Sequence, residues 1–255
     1  MRPGLLFITL GTVLAGAGLF GAVLWHCTPV PAPPPVVMPL PTPGETPEEI
    51  AERKRLFIDL LLPLIRAENR RLLDDRARID RIERELANED DISREDFEWL
   101  KNMAGRYNLD PAARRNPDFF DSLRRRVDTL PASMIIAQAA LESGWGRSPV
   151  TRESNNFFGH YCYEPDCGVP APGSGDLRVF KSPADSVRAY MHNLNSHRAY
   201  ADLRKRRAAM RAAGWPVSGS ALIQALGSYS ERGQAYIDDL ATLIRENELD
   251  LLQDR

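Results

Sequence analysis

Glu142 ends an otherwise apolar run. Met134-Ile135-Ile136-Ala137-Gln138-Ala139-Ala140-Leu141 precedes it and Gly144-Trp145-Gly146 follows. The run therefore reads as a buried helix that delivers one carboxylate in its last turn, just before a break. Two effects raise the pKa of a carboxylate placed there. The negative end of the helix dipole disfavours the charge and apolar neighbours desolvate it, so the protonated form persists toward neutral pH. A retained proton is what general-acid cleavage of a glycosidic bond requires, and the glycines leave room for a polymer to approach. The competing reading of the same residue is a helix-end carboxylate pointing into water.

A second catalytic group is not singled out. Glu153, Glu164, Asp166 and Asp176 lie in or beside a Gly- and Pro-rich stretch that could fold over a cleft. Glu153 ranks first because it adjoins Asn155-Asn156, though each of these residues also reads as a surface carboxylate. An inverting enzyme needs a base roughly 6.5 to 9.5 Å from the acid, whereas a substrate-assisted route uses the sugar's own acetamido group. Both routes stay open.

The chain carries only three cysteines. Cys162 and Cys167 close a short loop through Pro165, and outside the cytoplasm a disulfide is expected there. Metal binding by His160, Cys162, Asp166 and Cys167 is the weaker alternative, because the paired ligand spacing of a metal site is missing; no metal and no cofactor is expected. Arg204-Lys205-Arg206-Arg207 with Arg211 could suggest nucleic acid. However, no aromatics interleave, and 33 basic against 35 acidic residues leave a net charge of -2. A solvated helix face is the expectation, with no nucleic-acid partner.

These residues need elements to hold them. With 255 residues, 43% of them hydrophobic, the chain can build one sizeable folded domain with appendages. Helices are expected over Glu95–Tyr107, Phe119–Val127, the Glu142 run, the stretch opened by Ser182-Pro183, Leu222–Leu226 and Tyr236–Ile244. Between them, FFGHYCY and LRVF flank turns at Pro165-Asp166 and Pro172-Gly173-Ser174-Gly175, which predicts a small β-hairpin lobe. The expected class is α+β, mainly α. Ahead of this lies a long helix capped by Thr46, with Pro47 at its first position and Glu48 and Glu49 in its first turn. Ile65, Leu72, Ile79 and Leu86 recur every seven residues, but Glu68 and Asp75 interrupt the second row, so one buried stripe is expected rather than a coiled coil.

The N-terminus has a different texture. Leu5–Leu24 carries no charge over 20 residues, the length that crosses a bilayer as a helix. Arg2 before it places the N-terminus in the cytoplasm and the remainder outside. A cleaved signal peptide is the alternative, but the apolar run outlasts a signal core. Bulky Trp25-His26 argue against lipid attachment at Cys27. Residues 28–47 hold nine prolines and read as a polyproline spacer that reaches on the order of 60 Å. The expected organisation is an anchor over 1–27, a linker over 28–47, a helical segment over 48–128 and a catalytic domain over 129–255.

Ala140-Leu141-Glu142-Ser143-Gly144-Trp145-Gly146, then Asn155-Asn156-Phe157-Phe158-Gly159, then Tyr229-Ser230 with Gly233 and Tyr236 together resemble the bacterial Bax-like endo-β-N-acetylglucosaminidases. These form part of glycoside hydrolase family seventy-three, and the likeness runs from about Leu130 to Asn247, including Tyr190-Met191-His192-Asn193-Leu194-Asn195-Ser196-His197. The resemblance implies a lysozyme-like domain that hydrolyses the β-1,4 bond after N-acetylglucosamine in peptidoglycan, with Glu142 as proton donor. It implies Tyr229 as an active-site tyrosine, and Asn156, Phe158 and Gly159 beside the groove, with an aromatic face for a sugar and an amide for an acetamido group. Read without it, Phe158 and Tyr229 are core residues. The expected setting is the cell inner membrane, spanned once, with the catalytic domain in the periplasm and peptidoglycan strands as partner. The other readings are a lytic transglycosylase, which leaves anhydro-muramic ends, and a wall-binding protein without turnover.

Overall fold

The structure is a computed structural model that describes residues 44–88, 91–163, 167–170, 175–227 and 229–254. The chain divides into two units, Met1–Pro35 and Val36–Arg255, and the architecture below is that of the second. Leu5–Leu24 and most of the proline-rich stretch lie outside the described residues. Among the described residues, no helix is long and apolar enough to cross a membrane.

Helix α1 runs from Pro47 to Ala87, 41 residues with Pro63 inside it. It opens as its first turn dictates. Thr46 Oγ1 accepts from the Glu49 N–H at 3.2 Å, and Glu49 Oε2 accepts from the Thr46 N–H at 2.8 Å, a reciprocal capping box that satisfies two otherwise orphaned donors. One stripe of α1 is buried: Phe57, Leu61, Ile65, Leu72, Ile79 and Ile82. The acidic interruptions are neutralised in place, since Arg71 pairs with both Glu68 and Asp75 at 2.5 and 2.6 Å.

Helices α2 (Arg94–Arg106) and α3 (Pro117–Arg126) follow, and then α4 (Ala132–Ser143). Helix α4 is the centre of this unit. Every residue from Ala132 to Ala140 is buried, and the helix packs against α1 and the C-terminal helices. The helices before residue 129 share one core with those after it, for Phe57 of α1 lies 5.5 Å from Trp145 and 6.0 Å from Phe157 between ring centroids.

After α5 (Pro149–Ser154), β1 (Tyr161–Cys162), β2 (Gly168–Pro170) and β3 (Asp176–Arg178) form an antiparallel sheet in the order β1-β3-β2, with Tyr161 and Val169 both opposite Leu177. The lobe is three-stranded where a hairpin was expected. Its first strand is also shorter than FFGHYCY, because Phe157 and Phe158 are drawn into the core instead. Cys162 and Cys167 are joined by a disulfide, Cα atoms 5.9 Å apart. Closing so short a loop stabilises the fold by about 2 kcal/mol in the chain-entropy account. Cys162→Ser should therefore lower the thermal midpoint under oxidising conditions only; an equal drop in reductant would count against the bridge.

Helices α6 (Pro183–Ser196), α7 (Ala201–Ala212), the short α8 (Gly219–Leu222) and α9 (Gln234–Glu246) complete the fold. Of the predicted Leu222–Leu226 helix, only a 3-10 turn at Ile223–Ala225 follows α8. The basic run on α7 is corrected more strongly. Lys205 and Arg206 are exposed, but Arg204 and Arg207 are buried at 6% and 0% exposure. Arg204 Nη1 donates to the Leu194 and His197 carbonyls, each at 2.9 Å. Arg207 lies 3.1 Å from Asp128 Oδ2 and donates to Asn195 Oδ1 at 2.8 Å and the Arg125 carbonyl at 2.9 Å. Half of this run is an internal clamp rather than a solvated face.

Candidate active site

Helix α4 ends where its sequence predicts. Gly144 (φ 59°), Trp145 (φ 57°) and Gly146 (φ 76°) are all left-handed, and the Trp145 N–H closes back on the Ala140 carbonyl at 2.9 Å. Glycine adopts such angles without steric cost. This turn releases the chain directly after Glu142 and leaves its carboxylate in the open. The outer side of Glu142 is exposed.

Its inner side is crowded by protein. Four residues earlier on the same helical face stands Gln138, fully buried. Tyr236 of α9 bridges the two: its hydroxyl accepts from Gln138 Nε2 at 3.0 Å and donates to Glu142 Oε1 at 3.0 Å. Behind Gln138, the buried Tyr190 of α6 donates to Gln138 Oε1. On the opposite flank, Gly159 (φ 67°) brings its backbone so close that a Cβ there would stand 3.8 Å from Glu142 Oε2. Desolvation raises the Glu142 pKa above the ordinary carboxylate value, while the Tyr236 hydrogen bond and the charge of Arg232 oppose that rise. Burial also raises Tyr236, and the nearby Glu142 charge adds to it. A carboxyl that keeps its proton beside an open face is equipped to give that proton away.

The structure gathers some predicted residues around this point and removes others. Tyr229 is half-buried; its hydroxyl donates to the Phe158 carbonyl at 3.1 Å and its ring stacks on Tyr236 at 5.5 Å and 17°. It borders the site through Tyr236. Gly159 lies at the rim. Phe158 does not offer a face to a sugar, because it is 3% exposed and stacked on Tyr190 at 3.9 Å. Asn156 is likewise 3% exposed and its amide is already engaged. Its Nδ2 donates to the His160 and Arg178 carbonyls at 2.9 and 3.0 Å, and its Oδ1 accepts from the His160 N–H at 2.9 Å. Asn156 therefore ties the Gly159 loop to the sheet and has no donor left for an acetamido group.

Glu153 is exposed on α5 and Asp176 is exposed on β3, and neither joins the hydrogen bonds that meet at Glu142. Glu164 and Asp166 lie outside the described residues. The cysteines of the alternative metal reading are bonded to each other, which removes both thiolates. His160 is packed between Phe158 and Phe180, and burial lowers its pKa to about 4, so its ring is neutral.

Gln138 and Tyr190 were missed as site residues. The available signal was Gln138 itself, an amide inside an apolar helix one turn before the carboxylate. Tyr236 was visible only as part of a motif and as a helix residue.

The carboxylate, its hydrogen-bonded tyrosine and the glycine rim stand together at the open end of α4. Residues 118–249 match the Glucosaminidase family model, described as mannosyl-glycoprotein endo-beta-N-acetylglucosaminidase, and the chain belongs to that family. It is also 34% identical over 197 residues to Protein bax of Escherichia coli (strain K12), a likeness that covers 77% of this chain and 70% of that protein. Because residues 118–255 make up little more than half of the chain, this likeness extends into the helices that precede the family match.

Proposed function

We propose that this protein is a peptidoglycan hydrolase that cleaves the β-1,4 bond after N-acetylglucosamine, with Glu142 as general acid in a lysozyme-like domain. The observation that carries the proposal is the placement of Glu142: a desolvated carboxyl with a raised pKa at the open end of α4, held by Tyr236 and approached by Gly159. In this reading Glu142 gives its proton to the leaving oxygen as the C1–O bond breaks, with the bonding pair passing to that oxygen. Tyr229 supports the site by packing on Tyr236. Attack at C1 by the substrate's own acetamido oxygen replaces a second protein nucleophile, and water then opens the oxazolinium ring at C1 and returns a proton to Glu142. That route suits a hydrogen-bond network that Glu153 does not enter.

Leu5–Leu24 anchors the protein in the inner membrane in this proposal, and residues 28–47 hold the catalytic part out in the periplasm, within reach of the wall. The second reading, a lytic transglycosylase, draws on the same single-carboxylate geometry. Mass spectrometry of peptidoglycan digested by the purified protein, with and without borohydride reduction, separates the readings. Reducible N-acetylglucosamine ends are expected. Anhydro-muramic ends would move the protein to the transglycosylases, and binding without cleavage would overturn both.

A further inference from the structure

We propose that Gln138 is a positioning residue that determines which oxygen of Glu142 carries the catalytic proton. The proposal rests on the reading of Glu142 as general acid. Tyr190 is wholly buried, and the acceptor for its hydroxyl is Gln138 Oε1. That contact turns the amide's other end, Nε2, toward the Tyr236 oxygen at 3.0 Å. A phenol oxygen that accepts there still has one proton to give, and Glu142 Oε1 stands 3.0 Å away to receive it. Oε1 is thus held as an acceptor, and a protonated Glu142 carries its hydrogen on Oε2. That oxygen faces Gly159, so the leaving oxygen must approach over the glycine rim rather than over Tyr236.

The reverse polarity fails on the same logic. If Glu142 donated through Oε1 to Tyr236, the Tyr236 proton would have to turn to Gln138 and the amide would have to flip. Tyr190 would then face an NH2 group with no acceptor for its own proton, a penalty that buried hydroxyls avoid.

The titratable and charged groups facing Glu142 are Tyr236 from α9, Arg232 and Tyr229 from the segment before α9, and Tyr190 from α6. His160 of the Gly159 loop is turned among Phe158, Phe180 and Tyr190. Only Tyr236 bonds the carboxylate among the described hydrogen bonds.

Gln138→Met keeps the volume and removes the donor, leaving Tyr236 free to accept from Glu142. The protonated form then gains a partner at Oε1, so the Glu142 pKa rises and its proton sits on the wrong oxygen. A general acid loses activity as pH rises through its pKa, so the falling limb of the kcat profile should move to higher pH. At the same time kcat should fall about ten-fold at unchanged KM, a fraction of what general-acid catalysis contributes.

A carbon-13 titration of the Glu142 carboxyl in substrate-free protein should show the same upward shift. Tyr190→Phe retains the stacked ring, lets the amide turn over, and should shift both readouts in the same direction by less; it serves as the test if Gln138→Met does not fold. Loss of thermal stability with an unmoved limb and an unmoved carboxyl titration would overturn the proposal. Should Glu142→Gln keep its activity, the general-acid reading fails by itself. The carboxyl titration would still decide whether Gln138 controls the polarity at Oε1.

Discussion

Glu142→Gln is expected to reduce glycan cleavage by two to four orders of magnitude, the usual contribution of a positioned general acid, while the thermal midpoint hardly moves. Glutamine keeps an oxygen where Tyr236 donates at 3.0 Å and has nearly the same volume, so the packing of α4 is undisturbed. It cannot release a proton. Digestion followed by mass spectrometry measures the first expectation and a melting curve the second; near-normal turnover in the variant would sink the assigned role. Wild-type activity should persist above the ordinary carboxylate range and fade as pH climbs through the raised Glu142 pKa, because the acid form is the active one and desolvation is what preserves it.

The largest stability effect is expected far from that carboxyl, at Asp128. This residue is 3% exposed and receives Arg207 and Arg211 on Oδ2 at 3.1 and 2.9 Å, with Arg76 at 3.6 Å from Oδ1. Asp128→Ala leaves Arg207, at 0% exposure, as a buried cation without its counter-charge. Breaking a buried pair in this way costs about 3 to 5 kcal/mol, or roughly 10 °C in midpoint for a domain of this size. Arg206→Ala, one residue from Arg207 but exposed, should stay within about 0.5 kcal/mol. Urea melts of the two variants check the contrast, and equal losses would refute the assignment of buried and exposed halves on α7.

Much of this was legible along the chain because it depends on neighbours in sequence. Thr46 and Glu49 specify their own cap, the apolar run before Glu142 specifies a buried helix, and Cys162 needs only the next five positions to find Cys167. The illegible parts depend on distant partners. Whether Phe158 faces a sugar or the core is decided by Tyr190, and whether Arg207 meets water is decided by Asp128, far earlier in the chain. Asn156 has the chemistry to bind an acetamido group, but the loop and strand carbonyls around it take up that capacity first. Strand β2 spans three residues, too few for alternation to show. Tyr190 and Tyr236 come from α6 and α9, which only folding brings to Glu142, so the linear motif around Glu142 does not show their hydrogen bonds to Gln138.

The packing of Phe57 against Trp145 and Phe157 joins the matched segment to a helix outside its bounds. The family match begins at residue 118, within α3, yet one wall of the turn that follows Glu142 is supplied by α1, which closes at Ala87. Cutting the chain at the start of the match would strip that wall and expose a face of α4. The segment that the family match delimits is therefore smaller than the unit that shares one core. A helix that, judged by its own residues, has no chemistry to offer thus forms part of the setting of Glu142.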